Sequence, residues 1–206
     1  LMDSFAQGQD VHARTASEVF GVPLAEVTAN MRMRAKTVNF GIIYGISDYG
    51  LSKQLGVSRA EAAHYIESYF SRYVGVKAYM EAEVAKAKKL GYVETLFGRR
   101  RYLPDINHSN YNLRSFAERT AINTPIQGTA ADIIKVAMLK VAKALDEAQV
   151  KSRVLLQVHD ELVLEVTEAE KAKVAKIVEQ EMENAVKLQV PLVAEVATGK
   201  NWALAK

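Results

Sequence analysis

Residues 153–166, RVLLQVHDELVLEV, constrain the fold of this 206-residue chain more than any other stretch. Two runs rich in leucine and valine flank a short polar turn, the signature of a β-hairpin. Much of the preceding chain carries its apolar residues at helical spacing, so an α+β fold is expected. The hairpin presents His159, Asp160 and Glu161 at its tip. Both arms lack charges apart from their ends and Glu165, which predicts a well-buried sheet and a rigidly placed tip. Downstream, Thr167-Glu168-Ala169-Glu170 reads as a capping box opening a helix that runs to about Leu188. Residues 191–197 read as a third strand with its proline at the start, as at a sheet edge. Strand, strand, helix, strand makes an α/β sandwich unit containing an antiparallel hairpin.

Adjacent carboxylates at a hairpin tip admit two readings. Turn tips favour Asp, so Asp160-Glu161 describes a plain solvated turn. A carboxylate on a rigid element is also how Mg²⁺ is commonly fixed, with substrate phosphates completing the octahedron. Two-metal phosphoryl transfer wants a second carboxylate bridging the ions, and the sequence offers no other candidate in comparable context.

A second constellation lies in residues 32–45, RMRAKTVNFGIIYG. Arg32, Lys36, Phe40 and Tyr44 recur every four residues. On a helix they fall within an arc of about 120° and extend roughly 18 Å along the axis. Cations at one end suit phosphate oxygens, and aromatics at the other suit a base or sugar. The same spacing also describes a helix with a solvated basic end and a buried aromatic end. Gly41 and Gly45 weaken a helix interior, which points to close approach by another group or to a helix ending at Gly45.

The remaining segments read as connecting structure. Residues 1–22 form a short helix ending near Gly21, with His12 as a lone histidine within it. Residues 47–56 are turn-rich. Ser58-Arg59-Ala60-Glu61 is a capping box, followed by a core stripe of Tyr65, Ile66, Tyr69, Phe70 and Tyr73. A helix from about Val76 to Leu90 ends at Gly91 with lysines in its last turns. Residues 92–96 are strand-like, and Arg99, Arg100 and Arg101 then read as an exposed loop, either solvated or against a phosphate backbone. Residues 113–122 form a helix, and Thr124-Pro125-Ile126-Gln127 restarts another that runs to about Ala148.

Composition narrows the classes. The absence of cysteine excludes a disulfide scaffold and thiolate metal sites. No apolar run approaches the 18 or so residues that span a bilayer, and no secretory signal is visible. Net charge is only +3, but residues 86–119 carry eight Lys/Arg against three Asp/Glu, and residues 160–206 carry six against nine. The basic stretch could meet a polyanion and the acidic end a divalent cation. The chain starts with Leu1, which suggests a fragment or a processed product.

Taken together, RxxxKxxxFGxxYG in residues 32–45 and QVHDE in residues 157–161 resemble the second and third motifs of the family A DNA polymerases, the bacterial DNA polymerase I group. The likeness continues through QDVHARTA, LFGRRRYLP, RTAINTPIQGTAADIIK and VPLVAEV followed by NW, in order along essentially the whole chain.

The resemblance implies template-directed DNA synthesis from deoxynucleoside triphosphates (dNTPs), with primer-template DNA as partner and Mg²⁺ as cofactor. It implies a helical fingers subdomain over residues 1–115 and the C-terminal half of an antiparallel-sheet palm over residues 116–206. His12, Arg32 and Lys36 would contact the triphosphate, Lys36 also serving catalysis. Phe40 would pack against the sugar, and Tyr44 would sit at the template-base position near Gly41 and Gly45. Asp160 would ligate the metals, with Glu161 an accessory carboxylate and His159 beside the primer terminus. Gly41, Arg119, Asn123 and Gln127 would lie along the DNA, in part by sequence-independent minor-groove contacts.

Met33 departs from the family pattern, standing where many relatives carry a second arginine. The family's first motif, with its metal-binding Asp, is expected upstream of Leu1, together with the thumb, so the upstream part of the polymerase is an implied partner. The isolated chain is therefore expected to show no useful turnover, and to be either a nucleotide- and DNA-binding fragment or a piece that needs the upstream half to fold. No membrane association is implied, and the location would be cytoplasmic, nucleoid-associated in a bacterium.

Overall fold

A computed structural model describes residues 1–205 and resolves them into two compact units, Leu1–Ile126 and Gln127–Lys206. The first unit is largely helical. It contains α1 (Met2–Ala6), α2 (Val11–Phe20), α3 (Ala29–Ile43), α4 (Asp48–Leu55), α5 (Arg59–Arg72) and α6 (Val74–Leu90). A small antiparallel hairpin of β1 (Tyr92–Glu94) and β2 (Arg100–Tyr102) follows. Helix α7 (Tyr111–Glu147) begins in this unit. The second unit holds the rest of α7, the hairpin β3 (Arg153–Val158) and β4 (Glu161–Glu165), and α8 (Lys171–Glu183). The α+β class is as expected. No helix among the described residues is long and apolar enough to cross a membrane.

Local chemistry sets the helix boundaries of the first unit. Asp10 caps α2 by accepting from the backbone N–H groups of His12 and Ala13, and Gly21 ends it at φ 68°. The expected single helix over residues 1–22 is thus two, parted at Gly8, whose φ is 62°. Thr28 caps α3 through Met31 N–H, and Ser58 caps α5 through Glu61 N–H. Tyr69 of α5 and Tyr73, which caps its C-terminus, are buried with Val19, Val38, Ile42 and Leu51 in one core, while Tyr65, Ile66 and Phe70 pack on its margin. The aromatic stripe is core, as its spacing indicated.

Other elements depart from expectation. Residues 47–56 form helix α4 instead of turns: Ser47 accepts from Gly50 N–H, Gly56 closes the helix at φ 65°, and Leu51 is fully buried. Burial of one apolar residue in a capped two-turn helix outweighs the turn-forming composition. Arg100 and Arg101 lie in strand β2, not in a loop. Gly98 at φ 79° makes a tight turn, and Thr95 N–H donates to Arg99 O at 3.0 Å, so the chain returns along β1. Successive arginines then point to opposite faces, as strand geometry requires. Arg100 Nε donates to Glu94 Oε1 at 2.9 Å, with its guanidinium over the Tyr92 ring.

No restart occurs at Thr124. Helix α7 runs through Pro125 without a break. Proline removes one i→i−4 bond, but Ala117 and Ala121 are locked into a core with Ala87, Val93, Leu103 and Ile106, which holds the preceding turns in register.

In the second unit Val141 and Leu145 of α7 pack with Val174 and Val178 of α8, and Val154, Leu162 and Leu164 lay one face of the hairpin on them. The other face is open: Leu155 and Leu156 are half exposed, so the sheet is less buried than its apolar arms suggested. The register shifts between Val154 and Leu156, a local bulge in β3. Residues 191–197 form no strand among the described residues. The hairpin is a two-stranded sheet, and Ala194 N–H instead donates to Glu183 Oε1 at 3.2 Å. Thr167 makes no side-chain cap, and the Glu170 carboxylate that would complete a capping box instead accepts from Lys151 N–H, Ser152 N–H and Ser152 Oγ. A short 3₁₀ turn replaces the box, and α8 ends at Glu183 rather than near Leu188.

Candidate functional site

The i,i+4 face of α3 is present, and it is exposed at the end where its chemistry lies. Phe40 is 44% and Tyr44 38% exposed, so the aromatic end is not buried as in the bland alternative. Lys36 Nζ stands 6.0 Å from the centre of the Phe40 ring, and the Phe40 and Tyr44 rings are 6.2 Å apart at 27°. His12, from α2, brings its ring to 5.7 Å from Phe40. A cleft of about 800 Å³ is lined by Met33, Lys36, Phe40, Gly41, Tyr44 and Arg119 among others.

Tyr44 lies just beyond the last helical residue, and Gly45 follows at φ 71°. A Cβ at Gly45 would come within 2.9 Å of Arg119 Cγ, and one at Gly41 within 2.9 Å of Ile46 Cγ2. Both readings of the paired glycines therefore hold: the helix ends at Gly45, and each glycine admits a neighbouring side chain. Arg119 lines the cleft, and its Nη1 donates to Ser115 Oγ at 2.9 Å. Asn123, one helical turn on, has a buried Oδ1 with no hydrogen-bond partner among the described residues.

The state of His12 follows from its neighbours. Asn39, nearly buried, donates from Nδ2 to Thr15 Oγ1 at 3.1 Å and stands 3.0 Å from His12 Nδ1. An amide nitrogen only donates, so Nδ1 accepts and the imidazole proton resides on Nε2. Burial, and then the charges of Arg32 and Lys36, lower the His12 pKa below its ordinary 6.5, against the opposing pull of Asp10. His12 is accordingly a neutral donor at pH 7. Arg32 Nε pairs with Asp10 Oδ2 at the same helix end. The Ala13 N–H, followed by the Arg32 hydrogen bond, holds the Asp10 carboxyl below its usual range.

Asp10, Asn39 and Thr15 were not singled out by sequence. Asp10 had a readable signal, an Asp immediately before a helix start. Asn39 and Thr15 had none, because their partners lie 24 residues apart in sequence.

The remaining expected residues belong to the second unit. Gln127 is exposed at its start on α7. His159 and Asp160 form the hairpin turn between paired Val158 and Glu161, with His159 at φ 52° and its carbonyl accepting from Gln157 Nε2 at 2.7 Å. Glu161 is therefore the first residue of β4 rather than part of the tip. No hydrogen bond or ion pair engages the Asp160 carboxylate among the described residues, whereas Glu161 Oε1 accepts from the Trp202 indole Nε1 at 3.1 Å. No group of three or more His, Cys, Asp or Glu able to hold a metal occurs among the described residues. A free hard-oxygen donor on a hairpin turn fits one ligand of a divalent cation, not a complete site.

A sequence model described as DNA polymerase family A matches residues 1–204. The chain is 55% identical over 207 residues to DNA polymerase I of Lactococcus lactis subsp. cremoris, covering all of this chain and 24% of that protein. Against DNA polymerase I of Bacillus subtilis the identity is 54% over 206 residues, covering 100% of this chain and 23% of that protein. The chain thus spans about a quarter of the length of the curated relatives it matches. Among solved structures it is similar to the POL domain of Pol1 from M. smegmatis in complex with DNA primer-template and dNTP, with a TM-score of 0.96 and 48% identity. That likeness covers 100% of this chain and 36% of the other.

Proposed function

Because this chain belongs to DNA polymerase family A, we propose that it supplies the nucleotide-binding face and one metal-binding carboxylate of an enzyme of template-directed DNA synthesis. The observation that carries the reading is the α3 face, where an exposed ammonium and two exposed aromatic rings line one cleft and the ring of a neutral histidine stands 5.7 Å from Phe40. A relative solved with primer-template and dNTP supports the same ligands here. Residues 1–115 are assigned to the fingers and 116–206 to the C-terminal half of the palm.

Each side chain has a defined task. Lys36 acts as a point charge toward the triphosphate oxygens, and no carboxylate pairs with it among the described residues. His12 donates its Nε2 proton to the same group, and Arg32 adds a second charge once it exchanges Asp10 for phosphate. Phe40 presents its face to the deoxyribose, and Tyr44 stands where the templating base would stack. Gly41, Arg119, Asn123 and Gln127 meet the primer-template, and His159 the primer terminus. Asp160 offers its carboxylate to Mg²⁺, with Glu161 beside it. The bound cation would promote ionisation of the primer 3′-hydroxyl and stabilise the charge that builds on the phosphoryl oxygens. The hydroxyl oxygen bonds to the α-phosphorus as pyrophosphate leaves in line. A second carboxylate from the upstream part of the same polymerase completes the centre, so the isolated 206 residues bind nucleotide and DNA without turning over. The location consistent with DNA synthesis is cytoplasmic, on the nucleoid of a bacterium.

The test is Lys36→Ala in the complete polymerase. Losing a charged contact of about 1.5–3 kcal/mol predicts a rise in KM for dNTP of roughly 10- to 100-fold with DNA affinity held within about twofold. Equal loss of nucleotide and DNA binding would sink the assignment. For the isolated chain, salt-dependent DNA binding without primer extension is expected; extension abolished by Asp160→Ala would overturn the inactive-fragment reading.

A further inference from the structure

Trp202 is the only tryptophan of the chain, and it is spent on a surface carboxylate. Its Nε1 donates to Glu161 Oε1 across 41 residues of sequence, and Glu161 directly follows Asp160 in the chain. The tail is shaped to make that contact. A Cβ at Gly199 would lie 2.6 Å from the Leu204 carbonyl carbon and 2.7 Å from Ala205 N, so only glycine lets the chain fold back on its own backbone. Asn201 Oδ1 then accepts from Leu204 N–H at 3.2 Å and closes the 3₁₀ turn that carries Trp202. Three of the four residues Gly199-Lys200-Asn201-Trp202 thus have separate physical roles with one joint outcome, delivery of the indole to Glu161.

The choice of donor is informative. At the far end of β4, Glu165 is paired with Arg153 at 2.9 Å, which offsets its charge. Glu161 receives a neutral N–H instead. An indole fixes the orientation of one carboxylate oxygen while leaving the full negative charge in place, whereas an arginine would compete with any cation. Trp202 remains 46% exposed, so its ring is not there chiefly to fill a core.

We propose that Trp202 is a positioning residue: through its Nε1–H it holds the Glu161 carboxylate beside Asp160, charged and oriented toward a divalent cation bound at the hairpin tip. The inference rests on the reading of Asp160 as a metal ligand. It makes the folded tail of Gly199 to Ala205 part of the cation-binding apparatus although no tail residue touches the cation.

The test uses the complete polymerase carrying 5-fluorotryptophan, with the Trp202 ¹⁹F resonance assigned by its loss in Trp202→Phe. Three results are expected. Glu161→Ala shifts that resonance in metal-free buffer, and Glu161→Gln, which keeps an oxygen acceptor, shifts it less. Mg²⁺ titration moves it in the unmodified enzyme but not in Asp160→Asn. Trp202→Phe raises the Mg²⁺ concentration for half-maximal primer extension roughly 3- to 10-fold, below the about 10- to 100-fold effect of partners in closed metal sites. Its thermal midpoint stays within about 2 °C, and Glu161→Ala adds little to it. A resonance indifferent to Glu161→Ala would overturn the contact. A resonance indifferent to Mg²⁺, with an unchanged Mg²⁺ requirement in Trp202→Phe, would overturn the positioning role while loss of extension in Asp160→Asn kept the metal reading. Extension surviving Asp160→Asn would overturn that reading and this proposal with it.

Discussion

Asp10 does two jobs with its two oxygens, and a pair of substitutions separates them. Oδ1 accepts from His12 N–H and Ala13 N–H, both at 2.9 Å, and caps α2; Oδ2 pairs with Arg32. Asn is as good an N-cap as Asp, so Asp10→Asn keeps the first interaction and removes the charge from the second. The pair is 48% exposed on Arg32 and 42% on Asp10, so solvent screening limits its contribution to about 0.2–1 kcal/mol. Asp10→Ala loses the cap as well, a further 1 kcal/mol or so. Urea denaturation should therefore show a small loss for Asp10→Asn and roughly 1–2 kcal/mol for Asp10→Ala. Nucleotide use should move the opposite way. Freeing Arg32 from its carboxylate removes a competitor worth at most about 1 kcal/mol, which predicts a KM for dNTP lowered by up to about fivefold in the complete polymerase with Asp10→Asn. High salt should erase that difference. Equal destabilisation by both variants would show that the cap is not the separable term. A raised KM in Asp10→Asn would show that the carboxylate orients Arg32 for phosphate instead of competing for it.

Other perturbations follow from the same contacts. Asn39→Ala leaves Thr15 and His12 without their buried amide; an expected loss of about 1–3 kcal/mol in denaturant unfolding should accompany a His12 resonance that no longer reports a fixed Nε2–H tautomer. Gly45→Ala imposes a left-handed conformation on alanine at about 1–2 kcal/mol and pushes Arg119 from its place; thermal melting should detect the first, and weaker primer-template binding in the complete polymerase the second. Glu170 is held down to about 2 from an ordinary 4.5, first by the Ser152 hydroxyl and then by the Lys151 N–H. Its folded pKa is depressed, so its stabilisation is complete above about pH 4.5 and disappears as pH falls toward 2. Glu170→Gln should flatten that part of the acid-unfolding curve; an unchanged curve would assign acid sensitivity elsewhere.

What could be read in advance was local. The four-residue spacing from Arg32 to Tyr44 projects onto one helix face wherever the helix sits, and the leucine- and valine-rich runs around 159–160 make a hairpin from nearest-neighbour geometry alone. The expected α3 face, the tyrosine stripe of α5 and the His159-Asp160 turn all rest on such short-range rules. The misreadings share the opposite character. Pro125 looked like a helix start until the packing of Ala117 and Ala121 carried α7 through it. Glu170 looked like half of a capping box until the loop at Ser152 claimed its carboxylate. Residues 191–197 carry a strand's pattern, but a strand exists only where a partner edge accepts its hydrogen bonds.

By itself, then, the sequence determined the inventory: a basic and aromatic helix face, a carboxylate pair on a hairpin, and an ordered set of motifs shared along the whole chain with one polymerase family. Tertiary structure decided the state of each group. It made His12 a neutral Nε2 donor through Asn39, tied Arg32 to Asp10, and fastened Glu161 to an indole 41 residues away while leaving Asp160 free. Helix and turn chemistry act over three or four residues and are written in order along the chain. Protonation, pairing and orientation depend on what lies within a few ångströms in space, and only folding brings those residues together.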